Sequence, residues 1–354
     1  MVDKYLFFLS PKDTFDVIIK IIMNDKNFKK VIILITRKLP EKIEKKLENR
    51  FAVVLNKNDK KYSYKELKKK IQNVDILVPC VSDTIDASII KSGNKLKMIA
   101  NFGNGVDNID LTTAKEKKLI VTNTPDVLTD DTADLVLTMI LMICRKINVA
   151  QQKIMNRVWT GWGPSETLGE KLQGKKVGII GMGRIGTAVA KRLCTIGMKI
   201  NYHNRKRHNR KIESQFNAKY WGNLDQMISQ VDIISIHCPF TAETFHLLSK
   251  KRIRLLKKKC IVINTSRGEI IDEQALADSL FKKKIGGAGL DVFEHEPQIT
   301  QKLFESENVV LLPHISSATK ESRIAMGERV FKNIEAFLRG KVPPDLIKTK
   351  KSEH

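Results

Sequence analysis

Three stretches of this 354-residue chain put reactive side chains directly after apolar, β-branched runs. Arg267 follows "CIVIN" in "NTSRGEIIDEQAL", Glu296 follows "GLDVF" in "GLDVFEHEP", and His314 follows "NVVLL" in "LLPHISSAT". In open α/β sheets, ligands bind at the carboxyl ends of the strands. One His or Arg at a strand end is usually a loop stabiliser. A cation, a carboxylate and an imidazole converging on one edge point to an enzyme. A fourth stretch, "VGIIGMGRIGTAVAKRL", sets Gly181, Gly183 and Gly186 between a strand and a helix. The G-x-G-x-x-G spacing is weak alone, and the strand-to-helix context makes it a dinucleotide signature. Gly181 allows the tight turn, Gly183 lets backbone approach a pyrophosphate, and Gly186 permits close helix packing. The helix amides, including those of Arg184 and Ile185, face the anion.

The second strand of such a unit ordinarily ends in an acid that hydrogen-bonds the ribose 2′-hydroxyl. Here "MKINYH" ends near Asn204, and "NYHNRKRHNR" at 201–210 carries Arg205, Lys206, Arg207 and Arg210 with no carboxylate. A carboxylate would repel a 2′-phosphate, whereas Arg205 and Arg207 would grip one through charge-assisted, often bidentate hydrogen bonds. The expected cofactor is therefore NADP(H), with NAD(H) possible. The competing reading is a basic solvated loop in a Lys-rich protein.

These groups need a scaffold, and the pattern supplies one. Candidate strands at 31–35, 51–55, 75–79, 97–102 and 119–123 alternate with helical patterns around 40–49, 64–72, 84–92 and 111–117. A second series of six strands runs through 175–181, 198–203, 231–236, 260–264, 287–293 and 308–312. Both read as doubly wound parallel sheets covered by helices. Two long helices, about Asp130 to Ile154 and about Lys320 to Leu338, bracket the second series, the first with "TDDT" as N-cap chemistry. The expected organisation is a substrate domain at 1–125 to which 320–354 returns, with a cofactor domain at 126–319 inserted and a substrate cleft between them. Residues 1–28 lie outside the rhythm.

With 42% apolar and 29% charged residues the chain can bury two cores. Its net charge of +24 invites a nucleic-acid reading, but the lysines are scattered over solvent faces such as "EKIEKKLENR" and "KKYSYKELKKK", which argues against a dedicated binding face. Cys80, Cys144, Cys194, Cys238 and Cys260 show no metal-like spacing. They are expected to be free thiols in a reducing cytoplasm. No secretory leader or bilayer span is legible.

Taken together, "NFGNGVDNID", "GIIGMGRIG", "NTSRGEIIDE", "GLDVFEHEP" and "LLPHISSAT" resemble the D-isomer-specific 2-hydroxyacid dehydrogenases in the family's order, over roughly residues 31–340. "VWTGWGP" and "YHNRKR" look most like the glyoxylate and hydroxypyruvate reductases. The resemblance implies a Rossmann cofactor domain inserted into a flavodoxin-like substrate domain, a homodimer, and reduction of a small 2-oxo acid. It makes His314 the general acid, Glu296 its orienting partner and Arg267 the substrate arginine. It also gives the Asn104 and Gly105 amides the substrate carboxylate, Asp291 the nicotinamide carboxamide, and Cys238 and Pro239 the cofactor-lining loop. Thr132 falls near the cofactor phosphates and Thr265 on the cofactor side of "NTSRG". The roles make chemical sense. Reducing a 2-oxo acid develops negative charge on the carbonyl oxygen, which calls for a proton donor and a fixed cation. No metal is required.

Rivals remain. Formate dehydrogenases carry an amide where this chain has Glu296. The short stretch after "LLPHISSAT" leads us to expect no regulatory tail of the kind many phosphoglycerate dehydrogenases carry. A nucleotide-sensing corepressor can keep the same residues, and D-lactate or phosphoglycerate are alternative substrates. Trp159 and Trp162 read as packing at the domain junction or the dimer interface; the sharper alternative has Trp162 reaching a partner's active site.

Overall fold

A computed structural model describes residues 28–348. The described chain forms two compact units, one of residues up to Val127 with those from Thr319 on, the other Leu128–Ala318. Of the stretch 1–28, only Phe28 is among the described residues.

In the first unit, β1 (Ile32–Ile35), α1 (Glu41–Arg50), β2 (Ala52–Val54), α2 (Tyr64–Lys70), β3 (Ile76–Val78), α3 (Ala87–Ser92), β4 (Met98–Ala100), α4 (Leu111–Glu116) and β5 (Ile120–Thr122) follow one another. All strands are parallel, in the order β2-β1-β3-β4-β5. This is the flavodoxin-like order. Helix starts are fixed locally: the Ser63 and Glu66 side chains form a capping box, and Asp86 and Asp110 accept from the Ile89 and Thr113 amides. Each such cap is worth about 1 kcal/mol. Leu34, Leu77 and Ile99 of the sheet bury against Leu67, Ile89 and Ile90 of the helices.

The second unit continues with α5 (Thr129–Cys144), α6 (Ile147–Met155), β6 (Lys176–Ile180), α7 (Arg184–Thr195), β7 (Lys199–His203), α8 (Arg210–Phe216), β8 (Lys219–Tyr220), α9 (Leu224–Ile228), β9 (Ile233–Ile236), α10 (Lys250–Ile253), β10 (Ile261–Asn264), α11 (Glu273–Phe281), β11 (Gly287–Leu290), α12 (Gln301–Phe304) and β12 (Val309–Leu311). Its parallel sheet has the order β12-β11-β10-β9-β6-β7-β8, so the strand sequence reverses between β6 and β9. That switch point opens the crevice in which such sheets bind dinucleotides. The near-continuous apolar strands Ile261–Asn264 and Ile233–Ile236 are buried on both faces, as a doubly covered parallel sheet requires. Helix α13 (Lys320–Leu338) belongs to the first unit, where Phe331 meets Phe51 with ring centroids 5.7 Å apart.

Three expectations change. The helix read as Asp130 to Ile154 is two helices, because Lys146 takes a left-handed φ of 51° and the Glu170 amide, not a helical one, takes the Cys144 carbonyl at 2.7 Å. "TDDT" does not cap α5: Leu128 stands at the N-cap without a side-chain bond, and Asp130 and Asp134 instead hold Arg192 of α7. A seventh strand, β8, joins the sheet; two residues are too few to show a period of two. Among the described residues no helix is long and apolar enough to cross a membrane.

Candidate active site

The glycine loop leaves β6 as its pattern demands. Gly181 has a φ of 90°, and a Cβ there would stand 2.5 Å from the Cys238 backbone nitrogen, so only glycine lets the loop after β6 lie against the loop after β9. Gly183 caps α7, and a Cβ there would meet nothing within 4 Å. The ground in front of it is open. Gly186 packs against the Gly181 carbonyl, where a Cβ would come within 2.5 Å. The amides of Arg184 and Ile185 lie in the first turn of the 12-residue α7, where helix geometry leaves N–H groups without intrahelical acceptors. A cradle of this shape and polarity fits a dinucleotide pyrophosphate.

The ribose end is more ordered than a solvated loop. Asn204 Oδ1 accepts from the Met182 amide at 2.7 Å, while His208 Nε2 meets the Met182 carbonyl and lies 3.1 Å from Asn204 Nδ2. Both backbone groups of Met182, inside the glycine loop, are thus held from β7's far side. The arginines behave differently from each other. Arg207 forms a bidentate pair with Glu213 of α8, both bonds 2.8 Å, and its guanidinium lies 5.6 Å from the Tyr220 ring centroid. The Arg207 bonds and the Tyr202 hydroxyl hold the Glu213 carboxyl down to about 2. Of the five N–H donors of Arg207, expected to grip a phosphate, Nε–H and one on Nη2 are taken by Glu213. Arg205 is exposed, and its charge acts on Cys238 and Glu243.

At the other end of the same edge the three reactive groups are locked. His314 Nδ1 lies 3.0 Å from Glu296 Oε2, and Glu296 Oε1 accepts from the Phe293 amide at 3.1 Å. Burial pushes the Glu296 carboxyl up, but the His314 hydrogen bond and charge, the Phe293 amide and Arg267 outweigh it, leaving it below the usual carboxylate range. His314 itself sits at a φ of 56°, a sparsely populated region for a side chain of this size. Buried Asp291 over-determines that turn: its two oxygens accept from the Ile315 and Ser316 amides at 2.7 and 2.8 Å. The position expected to hold a carboxamide thus also fixes the backbone of the imidazole.

Arg267 follows β10, with its carbonyl held by Asn264 Nδ2 at 2.7 Å. Next to it, a Cβ on Gly268 would stand 1.9 Å from the Phe293 carbonyl carbon, so the Arg267 and Glu296 segments touch backbone to backbone. Glu273 and Glu294 clamp them further. Glu273 accepts from the Glu294 and Thr300 amides at 2.8 and 2.9 Å, Glu294 accepts from the Glu273 amide at 3.3 Å, and His246 lies 2.7 Å from Glu294. No motif marks His246, Glu273 or Glu294 as a group; only the two-fold exchange of carboxylate and amide reveals them.

The loop at Asn104 and Gly105 lies in the first unit, at the carboxyl end of β4. Its carbonyls are pulled backward: Thr124 N holds Gly103 O at 2.9 Å, Asn123 Nδ2 holds Asn104 O at 2.7 Å, and Asn101 Nδ2 holds Gly105 O at 2.7 Å. The Asn104 and Gly105 amides donate to no acceptor among the described residues. Such a pair of N–H groups suits a carboxylate.

Other expected residues divide. Cys238 packs at the glycine loop, and burial pushes its thiol up to about 11, so it stays neutral. Pro239 is exposed, with its carbonyl bonded by Thr244. Thr265 is buried, and its hydroxyl has no partner among the described residues. Thr132 is buried in the first turn of α5, its hydroxyl 2.9 Å from Leu128 O and 3.4 Å from Ser316 O. Among the described residues no cluster of three or more His, Cys, Asp or Glu side chains could hold a metal.

Comparison with known proteins places this geometry. The family described as D-isomer specific 2-hydroxyacid dehydrogenase, NAD binding domain, matches residues 137–316. Glyoxylate reductase from Thermococcus litoralis is 43% identical over 319 residues, 89% of this chain and 96% of that protein. The Pyrococcus horikoshii glyoxylate reductase is 41% identical, over 89% of this chain and 95% of its own. Among solved structures, the NADPH-dependent glyoxylate/hydroxypyruvate reductase of Sinorhizobium meliloti in complex with NADP and malonate is 31% identical with a TM-score of 0.79, over 90% of this chain and 96% of that one.

Proposed function

Because the chain belongs to the D-isomer specific 2-hydroxyacid dehydrogenase family, we propose that it reduces a small 2-oxo acid, glyoxylate or hydroxypyruvate, to the D-2-hydroxy acid with NADPH. The observation that carries the reading is the His314–Glu296 pair at 3.0 Å on a backbone turn pinned by Asp291. When bound, the reduced nicotinamide supplies the hydride. The chain's own residues do the rest. With Nδ1–H given to the ionised Glu296, the imidazolium of His314 keeps Nε2–H for the oxygen on which charge develops. Arg267 supplies a fixed cation to bind the carboxylate and polarise the carbonyl. The reading assigns the substrate carboxylate to the amides of Asn104 and Gly105. Gly181, Gly183, Gly186, Arg184 and Ile185 hold the pyrophosphate, and Arg205 faces the 2′-phosphate.

The homologues named glyoxylate reductase support the substrate class, and the NADP complex of the Sinorhizobium meliloti enzyme supports the cofactor. A homodimer is part of the same proposal. Met155, Val158, Trp159, Trp162 and Leu168 are all more than half exposed, Trp162 at 85%, in one segment of the second unit. So large an apolar display marks an association surface, and a second copy would cover it. Initial rates with glyoxylate, hydroxypyruvate, pyruvate and oxaloacetate, each with NADPH and NADH, test the function. Glyoxylate or hydroxypyruvate with NADPH is expected to give the highest kcat/KM; failure of all four would overturn the proposal.

A further inference from the structure

The two arginines of "NRKR" are not equivalent, and the difference lies in a carboxylate outside the motif. Glu213 is 11% exposed, accepts both Arg207 bonds, and also takes the Tyr202 hydroxyl at 2.7 Å. Tyr202 in turn accepts from the His208 amide at 3.0 Å. Arg207 is thereby tied into the scaffold that shapes the loop, with its Nε/Nη2 edge engaged and its charge paired. Arg205 makes no hydrogen bond or ion pair among the described residues, and its charge reaches Cys238, whose backbone touches Gly181. A dianionic phosphate arriving here meets Arg205 and exposed Lys206 directly. It gains the full charge and the Nε/Nη2 edge of Arg207 only by breaking a bidentate pair with a mostly buried carboxylate.

We propose that Glu213 is a specificity-determining residue: by holding Arg207 it limits the cations offered to a 2′-phosphate to Arg205 and Lys206, and so sets the preference for NADPH over NADH below what two free arginines would give. The inference rests on the reading that Arg205 faces the 2′-phosphate. In NAD-selecting Rossmann units the discriminating acid stands at the strand end. Here it acts from α8, through an arginine.

Calorimetric titration of the full chain with NADPH, NADH and 2′-AMP separates the groups. Arg205→Ala should weaken NADPH and 2′-AMP binding about tenfold or more, the loss of one charge-assisted bond, and NADH binding far less. Arg207→Ala should change NADPH affinity by less than about twofold, since a paired surface charge contributes little. Glu213→Gln, which keeps an acceptor for the Tyr202 hydroxyl, should tighten NADPH and 2′-AMP several-fold without tightening NADH. The double variant Glu213→Gln/Arg207→Ala should lose that gain. An Arg207→Ala loss as large as that of Arg205→Ala would overturn the proposal, as would a Glu213→Gln variant that folds and binds NADPH as wild type does. Should Glu213→Gln not fold, the Arg207→Ala arm decides alone, because that side chain is 62% exposed. Equal wild-type affinity for both dinucleotides would defeat the NADPH reading. A Glu213→Gln variant that then acquires a preference would still uphold the role of Glu213.

Discussion

At the β10–β12 end of the seven-stranded sheet His314 is held by Glu296 and the Arg267 side chain donates to Ser266 O, whereas at the β6–β7 end the backbone is held and Arg205 and Lys206 stand in solvent. The contrast follows from the two tasks. Proton transfer needs donor and acceptor within a few tenths of an ångström, so His314 is fixed through Glu296, its own backbone through Asp291, and the Arg267 segment through Gly268 and Glu273. Holding a phosphate needs a rigid cradle of amides and cations that can adjust, which the clamped Met182 and the long arginine side chain provide.

The sharpest test of this contrast is His314→Ala. Turnover should fall by at least about 10²-fold, with calorimetric NADPH affinity nearly unchanged; near-normal turnover would remove His314 from the chemistry. Asp291→Asn comes next. An amide leaves one of the Ile315 and Ser316 N–H groups facing another donor, so the φ of 56° at His314 loses half its support. We expect kcat to drop about tenfold and stability by about 1–3 kcal/mol, read by steady-state kinetics and denaturant melts on the same sample.

A pair of glycine substitutions sets one end against the other. Gly268→Ala forces a Cβ to within 1.9 Å of the Phe293 carbonyl carbon and should cost about 1–3 kcal/mol of stability together with activity. Gly183→Ala meets no protein atom within 4 Å and should leave Tm unchanged while weakening NADPH binding. If Gly183→Ala destabilised the fold as much as Gly268→Ala, the division between a locked and an open end would fail.

A last test concerns acid. Burial pushes the His237 imidazole, after β9, down to about 3. Between that value and the ordinary 6.5 the unfolded chain binds a proton that the folded chain does not. Stability from this residue is therefore complete above pH 6.5 and declines as pH falls, by at most about 1.4 kcal/mol per pH unit. His237→Gln should flatten the pH dependence of chemical denaturation in that window. A wild-type curve with no slope there would show the ring to be solvated.

What the sequence determined by itself was chemistry carried by short contiguous patterns. Glycines at 181, 183 and 186 stand where a turn and a helix start need them, and Arg267, Glu296 and His314 each follow an apolar run, because both signals depend only on neighbours along the chain. Two parallel sheets follow from alternating strands and helices for the same reason. Tertiary structure decided the pairings. "NYHNRKRHNR" is equally compatible with a solvated loop, a phosphate site and an ion pair, and only the arrival of Glu213 from α8 settles that, among the described residues, Arg207 is paired and Arg205 is not. The break of the long helix at Lys146 likewise depends on a chain segment arriving from Gly169 and Glu170. Local pattern selects which groups are present at an edge; the distances between side chains from separate elements select which of them are free to act.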